Sequence, residues 1–298
     1  MSEGGITRKQ AVLLGGAGLV AGSAAVAGVA IGFRPGKPAV VSNELEARFH
    51  DAELPGDDPR SDGWRHADPV IVPLQPQQIA QPFLQEASVH ELVVSALHNG
   101  TELAFLLEWN DAEADDLDGI GVFHDGVAVQ LPAQAGKTPP ITMGGPGAPV
   151  HVLQWRATWQ RDLAGKTGVD QIYPRVVHDI MPDDILDSDD ALAYWPGRAV
   201  GNPVSIITRD TAVEEVVAEG FGTVTHIGTQ RARGNAIHEG GRWKVAMAVP
   251  LERPDAGDPL LPGTQWPIAF AVWQGSDLNR GARKHITEWL TLGLEAKA

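Results

Sequence analysis

"ELVVSALHNGTELAFLLEW", residues 91–109, is the stretch that decides the fold class. Two apolar runs, "ELVVSALH" and "TELAFLLEW", flank the dipeptide Asn99-Gly100. Asn-Gly accepts positive φ at both central positions of a two-residue turn, which is the geometry of a tight β-hairpin. The stretch therefore predicts a β-hairpin.

Six further segments have the short apolar pattern of strands, and clusters of Gly, Pro, Asn and Asp separate them instead of long helical patterns. They are residues 121–131, 149–157, 203–208, 222–230, 243–251 and 266–274. No internal repeat occurs, and many short strands favour a sandwich over parallel β-α-β units. The predicted fold is mainly β, an antiparallel two-sheet β-sandwich with short helices in loops.

The composition limits the function classes. The chain has 298 residues, 43% of them hydrophobic, which is enough to bury a sizeable core. A formal net charge of -15 without a Lys/Arg-rich stretch argues against a nucleic-acid partner. The absence of cysteine excludes disulfides, thiolate nucleophiles, cysteine-ligated iron–sulfur clusters and thioether-attached haem. A redox cofactor in this chain would therefore be held non-covalently.

The N-terminal region predicts export. Residues 10–33 carry no charge and are long enough to span a bilayer. "TRKQAVL", residues 7–13, resembles a twin-arginine signal with lysine in the second basic position, and Ala25-Val26-Ala27 suits cleavage. Similar positive charge on both flanks leaves two outcomes open, a removed signal or a retained membrane anchor. A buried helix of a soluble protein is the third interpretation.

The rest of the chain divides into a linker and one domain. Residues 34–62 are polar and rich in proline, which predicts a linker after the hydrophobic helix at 1–33. Residues 63–298 then form the sandwich domain. The predicted localisation is periplasmic or extracytoplasmic, with membrane attachment if residues 10–33 are retained.

Hydrolase and metal-site motifs are weak in this chain. There is no Gly-x-Ser-x-Gly elbow, and the ten histidines are dispersed without the short spacing of zinc sites. His124-Asp125 and His178-Asp179 are the least ordinary pairs. The acidic segments 110–119 and 181–190 do not have the spacing of an EF-hand, so we expect solvated loops there.

Four segments carry a resemblance to a known family. They are "LEWND" (107–111), "ITMGGPGAPVHVLQW" (141–155), "AEGFGTVTHIGTQRARGNAIHEGGRWKVAMAVPL" (218–251) and "PIAFAVWQGSDLNRGARKHITEWLTLGLE" (267–295). In this order they resemble the haem b-binding gamma subunits of type II dimethyl-sulfoxide-reductase-like molybdoenzymes, such as ethylbenzene and dimethyl sulfide dehydrogenases and selenate and chlorate reductases. The resemblance covers roughly residues 64–295.

The resemblance implies a β-sandwich that holds one haem b between a methionine and a lysine, which fall on Met143 and Lys284. These two residues are then the cofactor-binding residues and the axial ligands of the haem iron, and no residue is catalytic. Met143 would supply a soft thioether, and Lys284 would ligate only as a neutral amine. His285 departs from the family, whose members usually have a hydroxyl residue after the lysine, and it could compete for the iron.

The resemblance also implies a role in electron transfer rather than catalysis. The chain would relay electrons between the iron–sulfur subunit of a complex with a molybdenum subunit and a soluble electron carrier. Trp155, Trp243 and Trp273 would pack in the core or line the haem. The alternative function is a cofactor-free β-sandwich, either a binding module or a structural anchor of an extracytoplasmic complex.

Overall fold

The computed structural model describes residues 37–165, 175, 196–206 and 209–297, which form fifteen strands and two short α-helices. The first eight strands are β1 Val40–Val41, β2 Glu44–Phe49, β3 Val70–Pro73, β4 Gln75–Pro76, β5 Glu91–His98, β6 Glu102–Asn110, β7 Gly126–Pro132 and β8 Val150–Arg156. The other seven are β9 Val213–Ala218, β10 Thr225–His226, β11 Arg233–His238, β12 Arg242–Pro250, β13 Gln265–Trp273, β14 His285–Ile286 and β15 Leu290–Leu294. The helices are α1 Ala157–Asp162 and α2 Pro196–Ala199.

The predicted hairpin is confirmed, and its turn lies one residue later than expected. β5 and β6 pair antiparallel, with His98 opposite Leu103. The Asn99 N–H donates to the Glu102 carbonyl at 3.2 Å, so Gly100 and Thr101 are the central residues of the turn. Only Gly100 has positive φ, at 88°. Asn99 acts through its side chain, whose Oδ1 accepts hydrogen bonds from the Thr101 and Glu102 N–H groups at 3.0 and 2.9 Å.

The strands form one continuous mixed sheet in the described part of the chain. Its order is β10-β9-β8-β7-β13-β15-β2-β5-β6-β12-β11, with the short strands β1, β3, β4 and β14 attached at the side. β13 pairs with β7 over Ala269–Trp273 and with β15 over Gln265–Ile268, so it joins the two halves. The mainly β prediction with short helices is confirmed, but two separate sheets are not. The sheet is also not purely antiparallel, because β1–β3, β15–β2 and β2–β5 are parallel pairs.

The predicted strands agree with the structure best where apolar residues dominate. The predicted segments 121–131, 149–157, 243–251 and 266–274 correspond to β7, β8, β12 and β13. Segment 222–230 contains only the two-residue strand β10, and Pro203–Ser205 forms a 3-10 turn while residues 207–208 lie outside the described part. β9 and β11 were not predicted. β2 lies in the range expected to be a linker, and it pairs with β15 and β5.

The main core lies between the two halves of the sheet. Val129, Leu153 and Phe270 come from the β7–β8–β13 half, and Phe105 and Met247 come from the β6–β12 half. All five side chains belong to one buried apolar cluster, so burial of apolar area between the halves stabilises the fold.

None of the helices in the described ranges is long and apolar enough to span a membrane. The predicted signal or anchor at residues 10–33 lies outside those ranges, as does the acidic segment 181–190.

Candidate functional site

One half of the sheet is apolar on both faces. In β7, β8 and β13, alternate residues point into the main core, and the residues between them point away from it. An antiparallel sheet with one face on water normally carries polar residues on that face. Here most of the outward face is a second apolar cluster, made of Ala128, Val150, Val152, Val216, Ala218, Ala271 and Trp273, with polar residues at its edge. An apolar outward face of this kind is typical of a surface that binds a ligand or a partner.

A cavity of about 450 Å³ lies over this second apolar face. Its volume is within the range of roughly 300–1,000 Å³ that is common for small-molecule and cofactor sites. Ala128, Val152 and Ala271 form part of its floor, and the loops that hold Met143 and Lys284 form part of its walls. The structure thus brings the two predicted site residues to one cavity, although they are far apart in the sequence.

The backbone around Met143 is tightly fixed. Met143 has a left-handed conformation with φ 64°, which is uncommon for a residue with a side chain. Its N–H donates to the Ile141 carbonyl at 2.9 Å, and its carbonyl accepts from the Gly220 N–H at 2.8 Å. A Cβ on Gly144, the next residue, would lie 2.6 Å from the Ala148 carbonyl oxygen, so only glycine fits there. The Gly/Pro turn therefore holds Met143 in place, and its side chain packs against the apolar cluster.

Lys284 lies on the cavity wall just before β14. Its Nζ is 4.7 Å from the centre of the Trp273 ring, and it has no ion-pair partner among the described residues. Desolvation by burial lowers the pKa of Lys284 to about 8. Part of the side chain stays accessible because it faces the cavity. A substantial fraction of Lys284 is therefore neutral near pH 8, and a neutral amine has a lone pair to offer a metal.

His285, the predicted competitor for the iron, points elsewhere. It is fully buried, its Nδ1 lies 3.2 Å from the Val272 carbonyl, and its Nε2 accepts from the Ser88 and Val89 N–H groups at 3.0 and 3.2 Å. Burial also lowers the pKa of His285. Both ring nitrogens are thus engaged in the structure, and the residue is not on the cavity wall.

The tryptophans divide between core and cavity. Trp155 and Trp243 pack in the main core with their ring centres 4.9 Å apart, whereas Trp273 lines the cavity. The sequence left both locations open for each of the three.

The cavity has one charged end that the sequence analysis did not identify. Arg156, the last residue of β8, forms an ion pair with Glu214 of β9. Glu214 is almost fully buried and also lies 3.0 Å from Nδ1 of His226. Arg156 and Glu214 both line the cavity. The sequence could have indicated Arg156, because side chains alternate between the two faces of a strand. Val152, Gln154 and Arg156 therefore lie on the same outward face of β8.

The acidic segment 110–119 is not a solvated loop throughout. Asp111 is only 3% exposed, and Asp125, close in space, is fully buried. Asp125 accepts hydrogen bonds from the Gly275 N–H at 2.8 Å and from Trp243 Nε1 at 2.9 Å. The expectation of water-facing carboxylates was therefore wrong for Asp111, which ties the loop after β6 to the loop after β13.

The His124-Asp125 pair does not provide catalytic geometry. His124 Nδ1 lies 2.7 Å from Asp118, not from its neighbour Asp125, and His178-Asp179 lies outside the described residues. The described ranges contain no group of three or more His, Cys, Asp or Glu side chains that could hold a metal ion.

The comparisons with known proteins agree with the resemblance drawn from the sequence. A family model described as ethylbenzene dehydrogenase matches residues 61–174, a range that includes Met143. The "Putative respiratory nitrate reductase heme subunit ORF7" of Haloferax mediterranei is 26% identical over 85% of this chain and 75% of its own length.

Two further relatives are named as gamma subunits. The chlorate reductase subunit gamma of Ideonella dechloratans is 29% identical over 40% of this chain and 55% of its own length. The dimethylsulfide dehydrogenase subunit gamma of Rhodovulum sulfidophilum is 28% identical over 35% of this chain and 43% of its own length. The matched region thus spans about half the length of these two relatives.

Among solved structures, a family 9 carbohydrate-binding module from Caldicellulosiruptor kristjanssonii in complex with glucose has a TM-score of 0.40 at 9% identity, over 86% of this chain and 97% of the module. That likeness is too weak to carry an argument about ligands. The sequence relationships are with proteins named as heme or gamma subunits of reductases and a dehydrogenase, and they support the resemblance of this chain to the gamma subunits of the type II dimethyl-sulfoxide-reductase-like molybdoenzymes.

Proposed function

We propose that this protein is a b-type cytochrome, an electron-transfer subunit that holds one haem b in the cavity between Met143 and Lys284. The observation that carries the proposal is the second apolar face of the sheet, with a thioether and a desolvated amine on the walls of the same cavity. The name of the Haloferax relative, a heme subunit, supports the same cofactor.

The residues of the cavity fit a haem. Its floor is apolar, which suits a porphyrin, and the low pKa of Lys284 makes a neutral amine available without a large change in protonation. Met143 offers a soft neutral ligand that tends to raise a reduction potential. When bound, the haem supplies one-electron redox chemistry. Met143 and Lys284 would both hold the iron, and the subunit would then relay electrons instead of catalysing a reaction.

The proposed partners follow from the relatives. Two of them are named as gamma subunits of a reductase and a dehydrogenase, so we place this chain in a complex with molybdenum and iron–sulfur subunits. It would relay electrons between the iron–sulfur subunit and a soluble carrier. We further propose that the complex works on the extracytoplasmic face, with residues 10–33 as its export signal or membrane anchor.

Purified protein with an adequate haem supply tests the proposal. We expect a reducible b-type spectrum of a six-coordinate haem. Met143→Ala and Lys284→Ala should each remove one ligand, shift the potential and open the iron to carbon monoxide. Lys284→Arg should not rescue the site, because a guanidinium stays protonated and has no lone pair to donate.

Lys137→Ala, on an exposed loop outside the cavity, is the matched control and should leave the spectrum unchanged. A colourless protein would refute the cytochrome and favour a cofactor-free binding or anchoring module. If both single ligand variants kept an unchanged six-coordinate spectrum and potential, haem would be bound but the ligand assignment would be wrong.

A further inference from the structure

Arg156 is a cation on the wall of the same cavity, and it has no role in the proposed binding of the iron by Met143 and Lys284. Its side chain is 24% exposed and lies on the cavity wall at the end of β8. Both of its side-chain hydrogen bonds come from Nη2, one to Glu214 and one to Gln154 Oε1 at 3.3 Å. Its Nε is buried and has no hydrogen-bond partner among the described residues. Nη1 takes part in neither hydrogen bond, so its N–H groups remain available for an acceptor in the cavity.

The position of Arg156 relates it to the lysine. Arg156 pairs with Gly126 on β7, and Gly126 pairs with Trp273 on β13. Directly opposed residues of antiparallel strands share one face, so Arg156 and Trp273 lie two strands apart in one row, about 10 Å between backbones. Gly126 puts no side chain between them. Lys284 packs over Trp273, at the other end of this row.

Among the described residues of the cavity wall, Arg156 is the cation that could bind an anionic group of a ligand. The charged residues on its described walls are Arg156, Glu214 and Lys284. Lys284 would hold the iron in the proposed function, and the side chain of Glu214 is acidic and already engaged by Arg156. Haem b carries two propionate carboxylates, and a carboxylate next to apolar walls needs a hydrogen-bonded cation.

The guanidinium of Arg156 is also held in place. The Glu214 carboxylate binds one side of it, and the Trp159 ring of α1 lies 5.2 Å away. Arg209 packs over the same ring at 3.7 Å and is held there by its ion pair with Asp162, so the ring is fixed between the two guanidinium groups. Because Glu214 and Gln154 engage Nη2, the Nη1 N–H groups of this fixed guanidinium are the donors that can bind a carboxylate in the cavity.

We propose that Arg156 binds a propionate carboxylate of the haem and thereby sets the orientation of the macrocycle in the cavity, an inference that rests on the proposed haem function. Glu214 and Trp159 are positioning residues that hold the guanidinium.

Binding of ferric haemin and of haemin dimethyl ester to the full-length apoprotein tests this. The two probes share the iron and the porphyrin, but the ester has no propionate charge. Affinities can be measured by Soret difference titration and by quenching of tryptophan fluorescence, without any activity assay. We expect the wild type to bind haemin about tenfold to hundredfold more tightly than the ester, the usual range for a hydrogen bond to a charged group.

Arg156→Gln should reduce that ratio to near one and leave binding of the ester almost unchanged. Because Arg156→Gln leaves Glu214 buried without its partner, the double variant Arg156→Gln/Glu214→Gln provides a second test with no unpaired charge, and it should lose the ratio as well. Arg161→Gln is the matched control, since Arg161 of α1 pairs with Asp116 outside the cavity, and it should keep the wild-type ratio.

Equal binding of both probes by the wild type, or a wild-type ratio in the folded double variant, would overturn the role of Arg156 while leaving the haem site intact. Binding of neither probe by the wild type would instead overturn the proposed function, and the inference with it.

Discussion

Asp111→Asn should make the protein more stable at alkaline pH. Asp111 follows β6 and is almost completely buried beside a second buried carboxyl, Asp125. Its Oδ1 accepts from Gln274 Nε2 and from the Glu113 N–H, both at 3.3 Å, whereas Oδ2 has no hydrogen-bond partner among the described residues. Burial, followed by the charge of Asp125, raises the pKa of Asp111 to about 8. The folded protein therefore holds a proton that the unfolded chain releases.

The sign of the pH dependence follows from proton binding. Between about pH 4 and pH 8 the folded state binds one more proton at Asp111 than the unfolded state does, so this residue lowers the free energy of unfolding as pH rises. Each pH unit of this interval contributes at most about 1.4 kcal/mol, and the coupled carboxyl Asp125 shares the effect with Asp111. Asparagine keeps the acceptor at Oδ1, offers an N–H to Asp125 and never ionises. We expect it to recover at least about 2 kcal/mol at pH 8 and close to nothing at pH 4.

Urea unfolding of both proteins at pH 4, 6 and 8 measures this difference, and titrating groups that do not interact with Asp111 cancel when the variant is subtracted from the wild type. Asp118→Asn is the control, because Asp118 is 53% exposed and should stay within about 0.5 kcal/mol of the wild type at every pH. A variant that is less stable than the wild type at pH 8, or a difference that does not change with pH, would refute the reasoning. Asp111 would then be ionised in the folded protein and stabilised by a partner.

Three other substitutions test packing and backbone conformation outside the cavity. Trp243→Phe removes the Nε1 hydrogen bond to Asp125 Oδ2 inside the core and should cost about 2–4 kcal/mol in urea unfolding; a loss below about 0.5 kcal/mol would mean that this bond contributes little. Gly257→Ala, where φ is 144° and a Cβ would lie 2.2 Å from the Ala133 carbonyl oxygen, should cost about 3 kcal/mol or more. Gly136→Ala, with φ 68° and open space, should cost only about 1–2 kcal/mol, and equal losses at both glycines would show that backbone conformation alone matters.

The strands that could be predicted are those whose signal is local. β5 and β6 have long apolar runs around a turn dipeptide, and β7, β8, β12 and β13 are apolar enough to be recognised from composition. β9 contains Glu214 and Glu215, and β11 contains Arg233 and Asn235. These polar residues break the apolar pattern by which strands are recognised, so the two strands were not predicted. In the fold both glutamates are buried and paired, which a sequence pattern does not reveal.

The linker prediction for residues 34–62 fails over β2 for a related reason. Glu44–Phe49 is short and partly charged, with no turn signal that would place it next to another strand. It becomes a strand because it fits between β15 and β5, both distant in sequence, with parallel pairing on each side. Such non-local pairing follows from the whole fold and not from the residues of the strand.

The cavity residues divide in the same way. Met143 and Lys284 were named only because of the family resemblance, since a lone methionine before a turn and a lysine in a polar loop are ordinary features by themselves. The alternation of side chains in β8 predicts that Arg156 points away from the core. It does not distinguish a position that faces water from one that faces a cavity.

The sequence by itself determined the mainly β class, the hairpin at residues 91–109, the absence of thiol chemistry and the resemblance to the gamma subunits, because each depends on local pattern, on composition or on segments that keep their order. Only the tertiary structure decided that the two halves of the sheet are joined through β13, that Met143 and Lys284 share one cavity, and that Asp111 is buried. The physical reason is that the burial of a side chain depends on which distant segments pack around it. Burial shifts the pKa values of Lys284 and Asp111, and the residues next to them in the sequence do not determine that burial.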